Sequence, residues 1–205
     1  ENEIKNLERY ASLQMYTVDG AGLSSPIDTV CNPGSPDDLT TLGQSGIVAN
    51  PVLVQNRYND FVSKSLEAVD KILNRNFEAE QSPLLGAIQK ISLLLPEPVT
   101  YPVKYKTTTG KNKVIFITDF LENTKTFSMY GLNKKLEQSF DESRAEEKFG
   151  ANFDKVDIEI WLIQRNHPNA PTSGEVKKFW LRVFSQIFNK TRVGEFIIDP
   201  LPGEL

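Results

Sequence analysis

The chain has 205 residues, 39% hydrophobic and 24% charged, with a formal net charge of −4, the composition of a soluble globular protein. The balance gives no reason to expect a nucleic-acid partner, because Lys104, Lys106, Lys111 and Lys113 form the densest basic cluster and no aromatic stacking pattern runs through it. Cys31 is the single cysteine, which rules out an intrachain disulfide, and no apolar run reaches the ~18 residues of a membrane-spanning helix.

The chain starts at Glu1 rather than Met, as a processed or truncated product would, and no basic-then-apolar signal segment opens it. Ile4, Leu7, Tyr10 and Ala11 recur at helical spacing, and LQMYTVD (13–19) then alternates as a strand does. Residues 20–49 carry so much Gly, Pro, Ser and Asp that a long irregular loop is expected there. Asn50-Pro51 is a helix start, with Asn as N-cap and Pro where a missing N–H costs nothing. Val54, Tyr58, Phe61, Val62, Leu66, Val69 and Leu73 make the apolar stripe of that helix.

Ser82-Pro83 repeats the device ahead of LLGAIQKISLLL, a more buried helix that Pro96 and Pro98 end. KYKTTTGKNK is a polar hairpin or irregular connection, and KVIFITD (113–119) is a strand. A charged helix is predicted over 128–149, and VDIEIWLI (156–163) has the apolar character of a central parallel strand. Thr172 and Glu175 form a capping-box pattern before a helix whose apolar face is Val176, Phe179, Trp180, Val183, Phe184, Ile187 and Phe188. GEFII (194–198) closes the series as a strand, stopped by Asp199-Pro200. Strands alternating with amphipathic helices predict an α/β fold: a doubly wound, mostly parallel sheet with helices on both faces, over one domain of residues 1–205.

SPLLGAI (82–88), KVIFITDFLEN (113–123) and the run from VDIEIWLIQR to EVKKFWLRVF resemble a von Willebrand factor A-like domain. VCNPGSPDD, NPVLVQNRYNDF and TDFLEN are similar to a divergent bacterial branch of it. The resemblance covers nearly the whole chain and implies a Rossmann-like three-layer fold. It also implies a metal-ion-dependent adhesion site, in which hydroxyls and carboxylates from three loops hold a hard cation. Asp119 matches the third-loop aspartate, and Ser82 stands in for the second-loop threonine. The Asp-x-Ser-x-Ser loop and its strand are absent, so the implied site is a degenerate one for Mg²⁺ held by Ser82 and Asp119.

Each of these residues also has a plainer role. Asp119 would serve as a helix or loop cap and Ser82 as a simple N-cap, while Glu122 and Asn123 could add oxygens to the same rim. His167, the single histidine, lies in the turn-like RNHPNAP, without a second His for zinc or a triad. Cys31 lacks a nearby partner as a nucleophile. Trp161 and Trp180 are core candidates, and Asn189-Lys190-Thr191 is a glycosylation pattern that chance explains.

Three functions follow. The first is a protein-binding module engaging its partner through the loop rim at the strand ends, with no catalytic role. The second is a metal-assisted hydrolase of phosphoesterase type using Asp119, Glu122 and Asp19 or Asp199, a chemistry that needs several carboxylates to converge. The third is a structural subunit that accepts a strand from another chain. A free thiol fits a reducing compartment without excluding export.

Overall fold

A two-residue turn at Gly20-Ala21 sets one of the strand pairings. The computed structural model describes residues 2–35, 50–74, 80–96, 100–103, 106–109, 111–131, 135–163, 168–189 and 196–197. In chain order they form α1 (Asn2–Lys5), β1 (Ser12–Met15), β2 (Val18–Asp19), β3 (Gly22–Leu23), β4 (Asp28–Cys31), α2 (Pro51–Leu73) and α3 (Leu84–Leu94). After these come β5 (Thr100–Val103), β6 (Lys106–Thr109), β7 (Asn112–Thr118), α4 (Leu136–Ser143), a 3-10 turn (Ala145–Glu147), β8 (Val156–Leu162), α5 (Ser173–Gln186) and β9 (Phe196–Ile197). The chain divides into two compact units, one of residues 1–17 and 24–78, the other of 18–23 and 79–205.

In the first unit β1 and β4 pair antiparallel, with Leu13 opposite Val30. Regular structure therefore extends into the segment where an irregular loop was expected, because Asp28–Cys31 finds an antiparallel partner in β1; residues 36–49 of that segment lie outside the described residues. The buried Asn32 ties the unit together: its Nδ2 donates to the Leu7 carbonyl at 2.8 Å and its Oδ1 accepts from Gly34 N–H at 2.9 Å. The opening helix is only four residues long.

Helix α2 starts as its residues dictate. The Asn50 side chain accepts from Val52 N–H at 3.0 Å, and Pro51 is the first helical residue. Its inner face runs through Phe61, Ser65 and Ala68, a cleaner i, i+4, i+7 series than the predicted stripe. Leu73, placed on the apolar face by sequence, is 66% exposed.

The second unit is built on a three-stranded parallel sheet in the order β7-β8-β9. Along β8 the residues Val156, Ile158, Ile160 and Leu162 are buried, while Asp157, Glu159, Trp161 and Ile163 alternate on the opposite face. The buried face meets the apolar side of α5, where Phe179, Trp180 and Phe184 are fully enclosed. Aromatic rings dominate this core: Phe120 stands edge-on to Trp180 at 5.0 Å, and Phe127 stacks on Phe179 at 5.6 Å. Edge-on ring pairs of this kind add about 0.5–1.5 kcal/mol each beyond the area they bury.

The predicted doubly wound sheet is not what forms. Among the described residues the parallel strands number three and lie in chain order, with no reversal of strand order, and the other strands make three two-stranded antiparallel sheets. For two of these small sheets the reason is connection length. β2 and β3 are joined through Gly20-Ala21, and β5 and β6 likewise by two residues, and a link that short permits antiparallel pairing alone, whereas a parallel pair needs a crossover of a dozen or more residues.

Helices on both faces of the sheet are also not found among the described residues. The face opposite the core leaves Lys113, Ile117 and Asp157 exposed and Ile115, Glu159 and Trp161 partly so. Trp161 thus belongs to the outer face, where its indole N–H donates to Glu159 Oε1 at 2.7 Å. The predicted helix over 128–149 shrinks to α4 and the 3-10 turn, because residues 128–130 are bound into the loop described next.

Candidate functional site

Where β7 ends, TDFLEN makes a sharp turn. Asp119 Oδ1 accepts from the Leu121 N–H at 3.1 Å and from the Thr118 hydroxyl at 3.4 Å, and the Thr118 Oγ1 in turn accepts from the Phe120 N–H at 3.2 Å. These short side-chain-to-backbone bonds are the Asx-type geometry that Asp favours. They hold Phe120 at φ +55, a left-handed conformation that costs a bulky residue on the order of 1–3 kcal/mol. Two things offset the cost: the Phe120 ring is fully buried, and its carbonyl accepts from Trp180 Nε1 at 2.7 Å.

Beyond the turn, Glu122 is carried into the interior. It is 0% exposed, and its Oε2 accepts from Leu85 N–H at 2.9 Å in the first turn of α3. Helix α3 has no side-chain cap of its own, since Pro83 occupies the N-cap position; the carboxylate of Glu122 supplies the missing acceptor. Glu122 Oε1 is buried without a hydrogen-bond partner. Its own backbone is fixed too, with its N–H donating to Met129 Sδ at 3.3 Å and its carbonyl accepting from Met129 N–H at 2.9 Å. Loss of hydration pushes the carboxyl up to about 7, against smaller opposing effects from the Leu85 amide, the Thr124 hydroxyl and the Leu84 amide.

Ser82 and Asn123 complete the arrangement. Their backbones exchange two hydrogen bonds, Ser82 N–H to Asn123 O at 2.9 Å and Asn123 N–H to Ser82 O at 3.0 Å. The Asn123 side chain donates to the Glu80 carbonyl at 2.9 Å and accepts from the Ser128 hydroxyl at 2.9 Å. So the segment after β7 and the segment before α3 are stitched together, with Glu122 at the seam. The predicted N-cap role of Ser82 passes to Glu122, because Pro83 intervenes between the serine and the helix.

The residues expected to hold Mg²⁺ have structural partners here. The ion requires near-octahedral oxygen ligands, carboxylates foremost. Asp119 Oδ1 already accepts two bonds, Ser82 is held by backbone pairing, and Glu122 is turned inward onto α3. Among the described residues no group of three His, Cys, Asp or Glu could hold a metal ion. Asp19, a candidate for the hydrolytic reading, closes its own turn by accepting from Ala21 N–H at 2.9 Å. Asp199 and His167 lie outside the described residues, as do Lys190 and Thr191 of the glycosylation pattern.

What sequence reasoning missed is the burial of Glu122, read there as a rim oxygen. A signal was present: the glutamate follows Phe120-Leu121, and the helix it caps begins with a proline unable to bring a side-chain acceptor. Cys31 is exposed, and no described helix is long and apolar enough to cross a membrane.

Comparison of the chain with protein-family models, with curated proteins and with solved structures gives no match. The von Willebrand resemblance rests on the quoted stretches alone, and the strand arrangement it implies is not the one observed.

Proposed function

We propose that this chain is a protein-binding module whose partner contributes an extended segment to the free side of β7. One observation carries the reading: β7 is seven residues long, pairs with β8 alone among the described residues, and leaves Ile117 56% exposed. A strand with one unpaired side presents a row of backbone donors and acceptors that another extended segment can satisfy. Parallel strands are ordinarily covered on both faces, so an apolar edge strand that leaves Ile117 exposed offers a recognition surface. The predicted rim is the weaker place for recognition, since the Asp119 oxygen that would present itself there is engaged in the turn. The hydrolytic reading has no convergence of carboxylates among the described residues to support it.

The test compares three baits, wild type, Ile117→Lys and Asp119→Asn, in affinity capture of partners from the native source. Strand addition at β7 predicts that Ile117→Lys loses captured partners that Asp119→Asn retains. Retention by Ile117→Lys with loss by Asp119→Asn would move recognition to the rim, and retention by both would remove β7 and the rim together.

A further inference from the structure

We propose that Glu122 is a proton-operated latch: while its carboxyl is neutral the 119–130 loop holds the first turn of α3, and ionisation loosens both. The observation behind this is an asymmetry within one carboxyl group. Oε2 is bonded to Leu85 N–H, whereas Oε1 is buried with no partner. A neutral carboxyl tolerates that situation at the modest cost of one unmade hydrogen bond, but an ionised one places charge on a buried oxygen that has no hydrogen bond of its own. Relief requires water at Oε1, and water can enter only if the loop and the helix start draw apart.

No neighbouring ionised group offsets the charge; only neutral donors do, and loss of hydration outweighs them. The groups acting on Glu122 are the Leu84 and Leu85 amides of α3 and the Thr124 hydroxyl of its own loop, and no ionised side chain is among them. The Thr124 proton is donated to the Phe127 carbonyl at 3.1 Å. Lys90, the one ionisable residue of α3, donates to the Leu23 carbonyl at 3.1 Å. Asp119, Glu80 and Lys125 are the nearest charged residues along the two joined segments, and none acts on the carboxyl. The step itself is a simple ionisation, in which the proton on Oε1 passes to solvent water and the electron pair stays on the oxygen. Burial brings the midpoint to about 7, so the latch works across the neutral range.

Two measurements decide the matter. The first is a carbon-detected NMR titration of the Glu122 side-chain carboxyl in the wild-type chain, with an expected midpoint near 7. The second is amide hydrogen exchange of residues 84–88 and 121–129 from pH 5 to pH 7, corrected for the intrinsic pH dependence of exchange. With an open-state pKa of 4.5 and a closed-state value of about 7, the opening constant rises by up to about tenfold per pH unit over that range and then levels off. Glu122→Gln, which cannot ionise, is expected to show no such rise. A Glu122 midpoint below 5, or an equal rise in Glu122→Gln, overturns the proposal. Should Glu122→Gln fail to fold, the wild-type titration decides alone.

Discussion

Helices α3 and α5 begin in opposite ways, although a glutamate carboxylate serves each start. At α5 the cap is local: Thr172 Oγ1 accepts from Glu175 N–H at 3.4 Å, and the Glu175 carboxylate accepts from Thr172 N–H at 2.9 Å. At α3 the carboxylate comes from 37 positions away and is sealed from water. The exposed glutamate has its pKa lowered, chiefly by the Thr172 hydroxyl and then by the Thr172 amide. The buried one has its pKa raised, chiefly by loss of hydration. Similar hydrogen bonds thus respond to pH with opposite sign, and what separates them is access to water rather than the identity of the capping group.

The largest way to break this contrast is to remove the support of the buried cap. Trp180→Ala deletes the ring packed on Phe120 and leaves the Phe120 carbonyl without its indole donor. A loss of about 3–5 kcal/mol in urea unfolding is expected. A loss under about 1 kcal/mol would show that the turn holds itself without α5.

Next comes the pH dependence of the buried cap. Because the folded-state pKa of Glu122 is raised, the folded chain holds this proton more tightly than the unfolded chain. Its contribution to stability is full below pH 4.5 and is lost as pH rises toward 7. The loss amounts to about 3 kcal/mol in all. Chemical denaturation from pH 4.5 to pH 8 checks it, with Glu122→Gln expected to gain on wild type by that amount across the window; parallel curves would contradict it.

A smaller change is expected from the exposed cap. Thr172→Ala removes the hydroxyl of the capping box and should cost about 1 kcal/mol, with no rise in stability on going from pH 7 to pH 5. The contribution of Glu175 has the reverse sign, being present above the unfolded carboxylate pKa and lost as pH falls through the lowered folded value.

Asp119 gives the finest comparison. Asp119→Asn keeps an acceptor for Leu121 N–H and should be near neutral, whereas Asp119→Ala releases the turn at a cost of about 1 kcal/mol. Thermal melts of both variants check this, and equal effects would show that the turn depends on the charge of Asp119 instead of on its acceptor. Smallest of all is Lys113→Ala. The Lys113–Glu159 pair at 2.6 Å is partly exposed, so its removal should cost about 0.2–1 kcal/mol, less at high salt.

Legibility from sequence follows the same division between local and distant interactions. Asn50-Pro51, Thr172 with Glu175, the stripe of α5 and the central position of β8 could all be read, because each rests on contacts within a few residues or on a simple alternation. The cap of α3 is not legible locally because it comes from Glu122, 37 positions beyond Leu85. Trp161 lies on the outer face instead of in the core, since alternation along β8 reveals two faces but not which of them another layer will cover. The doubly wound sheet failed for a related reason: strands and helices could be placed in order, while the pairing of strands depends on partners that order alone does not specify.

By itself, then, the sequence determined where helices begin, which residues alternate along a strand, and that Asp119 stands at the end of β7, all consequences of backbone geometry and side-chain chemistry over short range. Tertiary structure alone decided that the strands pair mostly two by two, that β7 keeps one side unpaired among the described residues, and that Glu122 caps α3 from within the core. A carboxylate has the same chemistry in every sequence context; whether it binds a cation, caps a helix or titrates near neutrality depends on how much water the folded chain leaves around it.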